Sequence, residues 1–439
     1  MLTEDQLKEQ IVEQLGAART RSLALTDAVD EDDLVRQHSP LMSPLVWDLA
    51  HVGSQEELWL LRNASGAAPM HPEIDDLYDA FKTPRKDRPA LPLLGPDETR
   101  RYISEVRSRV TDVIERAPLA DPPSALLAQG FVFGMVVQHE QQHDETMLAT
   151  HQLRAGTPVL QASVPDAPWA PYAAETLVEG GPFVMGTSTD PWALDNERPA
   201  HRVDVDPFWI DTVPVSNADF AAFVEQGGYE RRGWWTATGW AHVREAGLVA
   251  PRFWHRDGTT WLRDRFGRTE VVPPDEPVQH VSWYEADAYA RSVGKRLPTE
   301  AEWEKAAAWD PVAERSRRHP WGDAPPDSSR ANLGQRHLQP ARVGSYPDGA
   351  SAYGVRQLLG DVWEWTATDF HGYPGFAVFP YREYSEAFFG SEYKVLRGGS
   401  WAVDPAACRT TFRNWDLPVR RQIFAGFRCA RSVPGAAHV

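Results

Sequence analysis

The tryptophans divide this chain in two. Of 18, only Trp47 and Trp59 lie before residue 160, and the glycines follow, with seven before that point and 24 after it. Two ways of building a core are therefore joined in one polypeptide. The first third carries long amphipathic runs with few chain breakers, the pattern of packed helices. The remainder has short apolar stretches punctuated by Gly and Pro, the pattern of short strands and irregular loops pinned by large rings. With 439 residues, there is enough chain for two or three domains whose cores need neither disulfide nor structural metal. The expected division is a helical domain over 1–155, an extended linker over 156–176 and an α+β domain over 177–432.

Charge and cysteine content narrow the functional classes. There are 45 basic and 62 acidic residues, a net charge of −17, which disfavours nucleic acid and anionic membranes as partners. Two cysteines, Cys408 and Cys429, exclude a disulfide framework and zinc sites built on paired cysteines. The polar N-terminus and the lack of any run of about 18 apolar residues predict neither secretory signal nor membrane span, so a cytoplasmic location is expected.

Four helices are expected in the first part. Residues 4–29 place Leu7, Ile11, Leu15, Leu23 and Leu25 at helical spacing. Ser43 as N-cap with Pro44 at the first helical position opens a helix reaching Arg62. Residues 97–117 put Ile103, Val106, Val110 and Ile114 on one face, and 124–153 is the longest run. Such helices pack as a bundle. In the second part, Ser282 with Glu285 and Thr299 with Glu302 are capping boxes that predict two helix starts. Asn217–Gln226 is a third helical segment.

The chemistry begins with His139 and His143. On a helix these i and i+4 imidazoles sit one above the other, continuing the face of Leu127, Phe131 and Met135 toward the bundle interior. Buried imidazoles need partners, and a metal ion is one. His51, mid-helix in LVWDLAHVG, supplies a third nitrogen. No carboxylate recurs on the His139–His143 face, so an all-histidine site with open coordination positions is expected, which marks a catalytic metal. Spacing alone does not separate zinc from iron. Arg85 and Arg88 in KTPRKDRPA suit a substrate carboxylate through bidentate pairing. Arg413, Asn414, Trp415, Asp416, Arg420 and Arg421 gather amide, indole, carboxylate and guanidinium within nine residues. The aromatic tract FHGYPGFAVFPYREYSEAFF contains Tyr373, Tyr381 and Tyr384, with Tyr393 nearby, and one phenol could donate a proton.

Several segments carry a family resemblance. GGPFVMGT, RPAHRVDVDPFWIDTVPVSNADFAAFV, PVQHVSWYEADAYARSVGKRLPTEAEWEKAA, HPWGD, LLGDVWEWTAT, VLRGGSWAVDP and AGFRCAR resemble, in order, the formylglycine-generating-enzyme-like domain, a variant of the C-type lectin fold. DLAHVGSQEELWL and HEQQHDET resemble a DinB-type four-helix bundle. The two in this order resemble the sulfoxide synthases of ergothioneine biosynthesis, non-heme iron enzymes that use O2 to join a cysteine thiol to hercynine.

That resemblance implies particular roles. Fe(2+) would be held by His51, His139 and His143. γ-Glutamyl-cysteine would be bound with the help of Arg85 and Arg88, and the substrates also by Gln142, Asn414, Trp415, Asp416 and Arg420. Tyr381, in the segment Tyr381-Arg382-Glu383-Tyr384-Ser385, would be the catalytic tyrosine, with Tyr384 and Tyr373 as alternatives. Formylglycine-generating enzymes carry a cysteine pair after the GGS motif, whereas WAVDPAACRTT here holds only Cys408. The same chemistry with free cysteine, or a zinc-dependent DinB-type thiol transferase, are the competing expectations.

Overall fold

The computed structural model describes residues 2–435. The chain forms two compact units: Met1–Gln161 with Thr189–Trp192, and Ala162–Ser188 with Ala193–Val439. Among the described residues no helix is long and apolar enough to cross a membrane.

The first unit is a helix bundle of α1 (Glu4–Thr26), α2 (Glu31–Val35), α3 (Leu45–Glu56), α4 (Pro96–Arg116) and α5 (Phe131–Leu153). Its core takes the apolar faces seen in the sequence, including Ile11, Leu15, Leu49, Val106, Val110 and Val137, all buried. Each such side chain contributes about 1.5–3 kcal/mol on burial. Two helix starts differ from the expectation. Pro44 itself takes the cap position of α3 and makes no capping bond. The buried Ser43 hydroxyl instead accepts from Arg88 Nη1 at 2.5 Å. The last long helix starts at Phe131, not near Ser124, because Gln129 (φ 50°) and Gly130 (φ 71°) are left-handed and break the ladder. After Glu56, α3 widens into a π-helical segment over Glu57–Asn63.

An ionic cluster ties the bundle together. Arg19 on α1 bonds Glu140 of α5 and Glu56 of α3, each at 2.7 Å. Arg107 of α4 bonds Glu56 at 2.5 Å and Glu140 at 3.3 Å. Both carboxylates are fully buried, so removing one guanidinium strands a charge, at a cost of about 3–5 kcal/mol. The cluster fixes α5 at the residue next to His139. Thr189–Trp192 also belongs to this unit. The Trp192 ring covers Gly134, where an added Cβ would lie 2.2 Å from the indole. Its carbonyl accepts from Gln138 Nε2 at 3.0 Å.

The second unit mixes short strands and helices: β1 (Glu175–Val178), β2 (Gly181–Met185), β3 (His201–Val205), β4 (Phe208–Asp211), α6 (Asn217–Glu225), α7 (Ala237–Ala246), β5 (Trp254–Asp257), β6 (Thr260–Arg265), β7 (Arg268–Val271), α8 (Trp283–Ser292), α9 (Glu300–Ala308), β8 (Trp309–Asp310), β9 (Arg315–Ser316), β10 (Trp363–Phe370), β11 (Gly390–Arg397), β12 (Asn414–Asp416), β13 (Ala425–Gly426) and β14 (Ala430–Ser432). The largest sheet among the described residues runs β12-β11-β10-β13, with β10 antiparallel to β11 and parallel to β13. Both capping boxes form, opening α8 and α9. Trp303, Trp365 and Trp401 fill the core. Buried ion pairs join the loops to it: Arg397 and Arg413 with Glu300 at 2.9 and 2.7 Å, Arg409 with Glu197, and Arg428 with Glu364 at 2.7 Å.

One buried imidazole sets a pH response. His151 on α5 donates from Nε2 to the Leu25 carbonyl at 2.9 Å. Burial pushes it down from 6.5 to about 4. The unfolded chain therefore takes up this proton at a higher pH than the folded one, and the stability present above 6.5 is lost as pH falls toward about 4. This group is expected to contribute a loss of roughly 3 kcal/mol across that range. Urea unfolding of the metal-free protein, followed by helical circular dichroism, should show a midpoint that falls with acidification. It should fall less steeply in His151→Gln; an equal slope in the variant assigns the effect to other groups.

Candidate metal centre

Helices α3 and α5 bring the three predicted histidines together. Ring centroids lie 5.1 Å apart for His51 and His139, and 4.6 Å apart for His51–His143 and His139–His143. One ring nitrogen from each falls within 4.8 Å of the others. His51 Nε2 and His139 Nε2 face each other at 3.3 Å.

The outer nitrogens decide what the inner ones present. His51 Nδ1 lies 2.7 Å from the Tyr78 carbonyl, which can only accept. Its proton therefore sits on Nδ1, and Nε2 offers a lone pair. His143 Nδ1 lies 3.1 Å from Asp48 Oδ1, and the carboxylate orients that ring in the same way. His139 Nδ1 is buried with no partner among the described residues. Burial first, then the neighbouring imidazoles, pushes His51 and His139 well below the usual histidine range, so both are neutral. With the His139 proton on Nδ1, its Nε2 lone pair faces that of His51 at 3.3 Å, and a cation between them relieves the repulsion. The cluster therefore fits a metal ion, with nitrogen as its whole protein donor set. Asp48 stands behind His143 as its hydrogen-bond partner. Three protein ligands would leave coordination positions open on such an ion, as catalytic sites do.

Aromatic stacking supports this cluster. His51 stacks on Trp47 at 4.6 Å with planes 14° apart. The Arg88 guanidinium lies 3.3 Å from the centroid of the Trp47 ring. Arg88 also donates to the Thr83 carbonyl and to Ser43, and burial pushes it down to about 10. Arg85 donates to the Leu41 carbonyl at 2.9 Å. Gln142 lies half-buried on α5 beside His143.

In the second unit, Asn414, Trp415 and Asp416 form edge strand β12. Trp415 stacks on Phe370 at 4.2 Å with planes 9° apart, and Asp416 pairs with Arg420 at 3.4 Å. Tyr384 meets Tyr381 edge-on at 6.0 Å and Trp415 edge-on at 6.1 Å, so these rings form one cluster. Burial, with Asp195 nearby, pushes the Tyr381 hydroxyl well above the usual range. It stays protonated at neutral pH, as a proton donor must. Tyr373 is placed otherwise. It is buried with Phe183 and Met185, and its ring lies 4.2 Å from the Arg413 guanidinium. Arg413 is likewise turned into the core.

Sequence reading missed Asp48 and Tyr78. Asp48 carried a signal, since it precedes His51 by one helical turn and shares its face. Tyr78 carried none, because it acts through a backbone carbonyl.

Comparison with known proteins decides the family. The model of the sulfatase-modifying factor enzyme 1-like domain matches residues 160–433, and that of the DinB superfamily matches residues 14–147. A hercynine oxygenase from Mycolicibacterium smegmatis is 52% identical over 97% of this chain and 99% of its own length. The chain belongs to the hercynine oxygenase family. A second hercynine oxygenase, from Mycobacterium tuberculosis, is 53% identical over 96% of this chain and 98% of its own. As a member of this family, the chain is an oxygenase. A formylglycine-generating enzyme from Streptomyces coelicolor is 36% identical over 58% of this chain and 88% of its own. Here Cys408 and Cys429 are buried and unpaired, and burial pushes the Cys408 thiol up to about 12, which leaves it inert.

Metal binding should follow the geometry. His139→Ala is expected to abolish stoichiometric binding of ferrous or cobalt(II) ion, measured anaerobically, with helical content retained. Asp48→Ala should weaken binding by about 10–100-fold, because the His143 ring loses its orientation. Unchanged affinity in Asp48→Ala would show that the carboxylate is idle.

Proposed function

We propose that this enzyme uses ferrous iron and O2 to join the thiol of γ-glutamyl-cysteine to the imidazole C2 of hercynine. The product would be hercynyl-γ-glutamyl-cysteine sulfoxide, in a step of ergothioneine biosynthesis in the cytoplasm. The observation that carries this reading is the convergent three-histidine cluster in a chain that aligns along 97% of its length with a hercynine oxygenase. The reaction balances. One C–H and one S–H bond break, and a C–S and an S–O bond form. O2 takes four electrons, leaving one oxygen on sulfur and one in water. When bound, a ferrous ion supplies open positions for the thiolate and the imidazole and the electron transfer that O2 requires.

The chain's own residues would bind, orient and move protons. Arg85 and Arg88 are assigned to substrate carboxylates, and the Arg88 guanidinium lies against Trp47, on which His51 stacks. Arg420 is assigned to a carboxylate and Asp416 to the γ-glutamyl-cysteine ammonium. Gln142 and Asn414 would orient hercynine, and Trp415 would offer it a flat face. Tyr381 would deliver the proton that commits oxygen chemistry to C–S bond formation rather than to oxidation of the thiol alone. Tyr384 and Tyr373 are its competitors, and the burial of Tyr373 against Phe183 and Met185 favours Tyr384 of the two.

Two experiments test this. Tyr381→Phe keeps the ring and removes the hydroxyl, and a positioned general acid contributes about 10²–10⁴-fold. The variant should still consume O2 and thiol but shift product from sulfoxide to γ-glutamyl-cysteine sulfinate. A wild-type product ratio in Tyr381→Phe, with a shift in Tyr384→Phe, moves the role to Tyr384. In the second, kcat/KM for γ-glutamyl-cysteine should exceed that for free cysteine, and Arg85→Ala or Arg88→Ala should lower it by about 10–150-fold. Equal efficiency with free cysteine defeats the substrate assignment, and anaerobic turnover with zinc defeats the reaction.

A further inference from the structure

The loop carrying Tyr381 is fastened at both ends to one carboxylate. On the incoming side the Phe379 amide donates to Asp195 Oδ2 at 3.2 Å. On the outgoing side Ser385 Oγ donates to Asp195 Oδ1 at 2.5 Å. The same hydroxyl accepts from Asn196 Nδ2 at 3.1 Å. Asp195, Asn196 and Ser385 are all buried, whereas Arg382 and Glu383 between the fasteners are exposed.

The anchor is itself tied down by buried arginines. Arg413 Nη1 donates to the Asn196 carbonyl at 2.8 Å and is held in turn by Glu300 at 2.7 Å. Glu197 accepts from Arg409 Nε and from Thr411, each at 2.7 Å.

Asp195 differs from the other buried carboxylates around it. Glu197, Glu300, Glu304 and Glu364 each face an arginine. Asp195 has no ion pair among the described residues, and burial pushes it up to about 6. A buried carboxyl without a counter-charge is costly to keep. What it holds in return is the two ends of this loop.

We propose that Asp195 is the positioning residue for Tyr381, fixing residues 379–385 so that the phenol is held in one place. The proposal rests on the reading of Tyr381 as proton donor.

Asp195→Ala, Asp195→Asn, Ser385→Ala, Tyr381→Phe and the double variant Asp195→Ala/Tyr381→Phe test it in the iron-loaded full-length enzyme. Two quantities are read: the sulfoxide-to-sulfinate ratio and hydrogen exchange of the peptide spanning 379–385. Asp195→Ala should speed exchange in that peptide and lower the ratio roughly tenfold. Asp195→Asn, which keeps one acceptor, should recover part of both effects. The double variant should be no worse in ratio than Tyr381→Phe alone. Ser385→Ala removes a single fastener and serves should Asp195→Ala fail to fold. A wild-type ratio in Asp195→Ala and Ser385→Ala, beside a shifted ratio in Tyr381→Phe, overturns the proposal. So does unchanged exchange, or an additive double variant. A wild-type ratio in Tyr381→Phe itself brings down the proton-donor reading, and the positioning role with it. Faster exchange in Asp195→Ala would then still mark the fastening as real, which separates the two failures.

Discussion

Four guanidiniums sealed from solvent carry the second unit. Arg397, Arg409, Arg413 and Arg428 are among its largest fully buried side chains. A fold built from strands as short as Ala425–Gly426 has few backbone ladders to hold its long connections. Arginine replaces them because one planar group offers five donors. Arg428 shows the pattern: it binds Glu364 while donating to the carbonyls of Asp211, Thr212, Arg356 and Gln357. Arg413 does the same for Glu300, Asn196 and His371, and the next residue, Asn414, opens β12. One ion pair thus supports both the edge strand and the base of the Tyr381 loop.

The helical unit meets the same problem of buried polarity differently. Its four-residue cluster of Arg19, Arg107, Glu56 and Glu140 is satisfied within the protein. The three imidazoles beside it are not. Tyr78 and Asp48 satisfy two outer nitrogens, and the inner ones are left facing each other. A metal ion would complete such a cluster, and the satisfied network sits beside it.

What the sequence made legible follows from how local each signal is. The faces of α1 and α4, the capping boxes of α8 and α9, and the pair His139 and His143 are patterns of a few residues, and all appear in the structure; His51, 88 positions before His139, meets the pair through the packing of α3 on α5. The start of α5 was missed because it depends on positive φ at Gln129 as well as Gly130. The tie between Ser43 and Arg88 spans 45 positions, and nothing near Ser43 distinguishes that use from capping. Asp195 and Ser385 are 190 positions apart. No spacing rule reaches that far, and only the folded chain shows that they meet. Tyr78 contributes a carbonyl that every residue possesses.

The assignment of Thr189–Trp192 to the helical unit bears on how such a protein can be inherited. The ring that closes over Gly134 is encoded downstream of β2, after the chain has already begun the other unit. A single crossover in the linker would transfer the helices without their own covering indole. Recombination between relatives preserves this packing only if two breakpoints move together or if Gly134 and Trp192 are matched in both parents. Although the composition divides cleanly near residue 160, the chain is therefore not a simple end-to-end fusion of interchangeable modules. Its two parts alternate along the sequence, and the helical unit is complete only once residues 189–192 have followed β2.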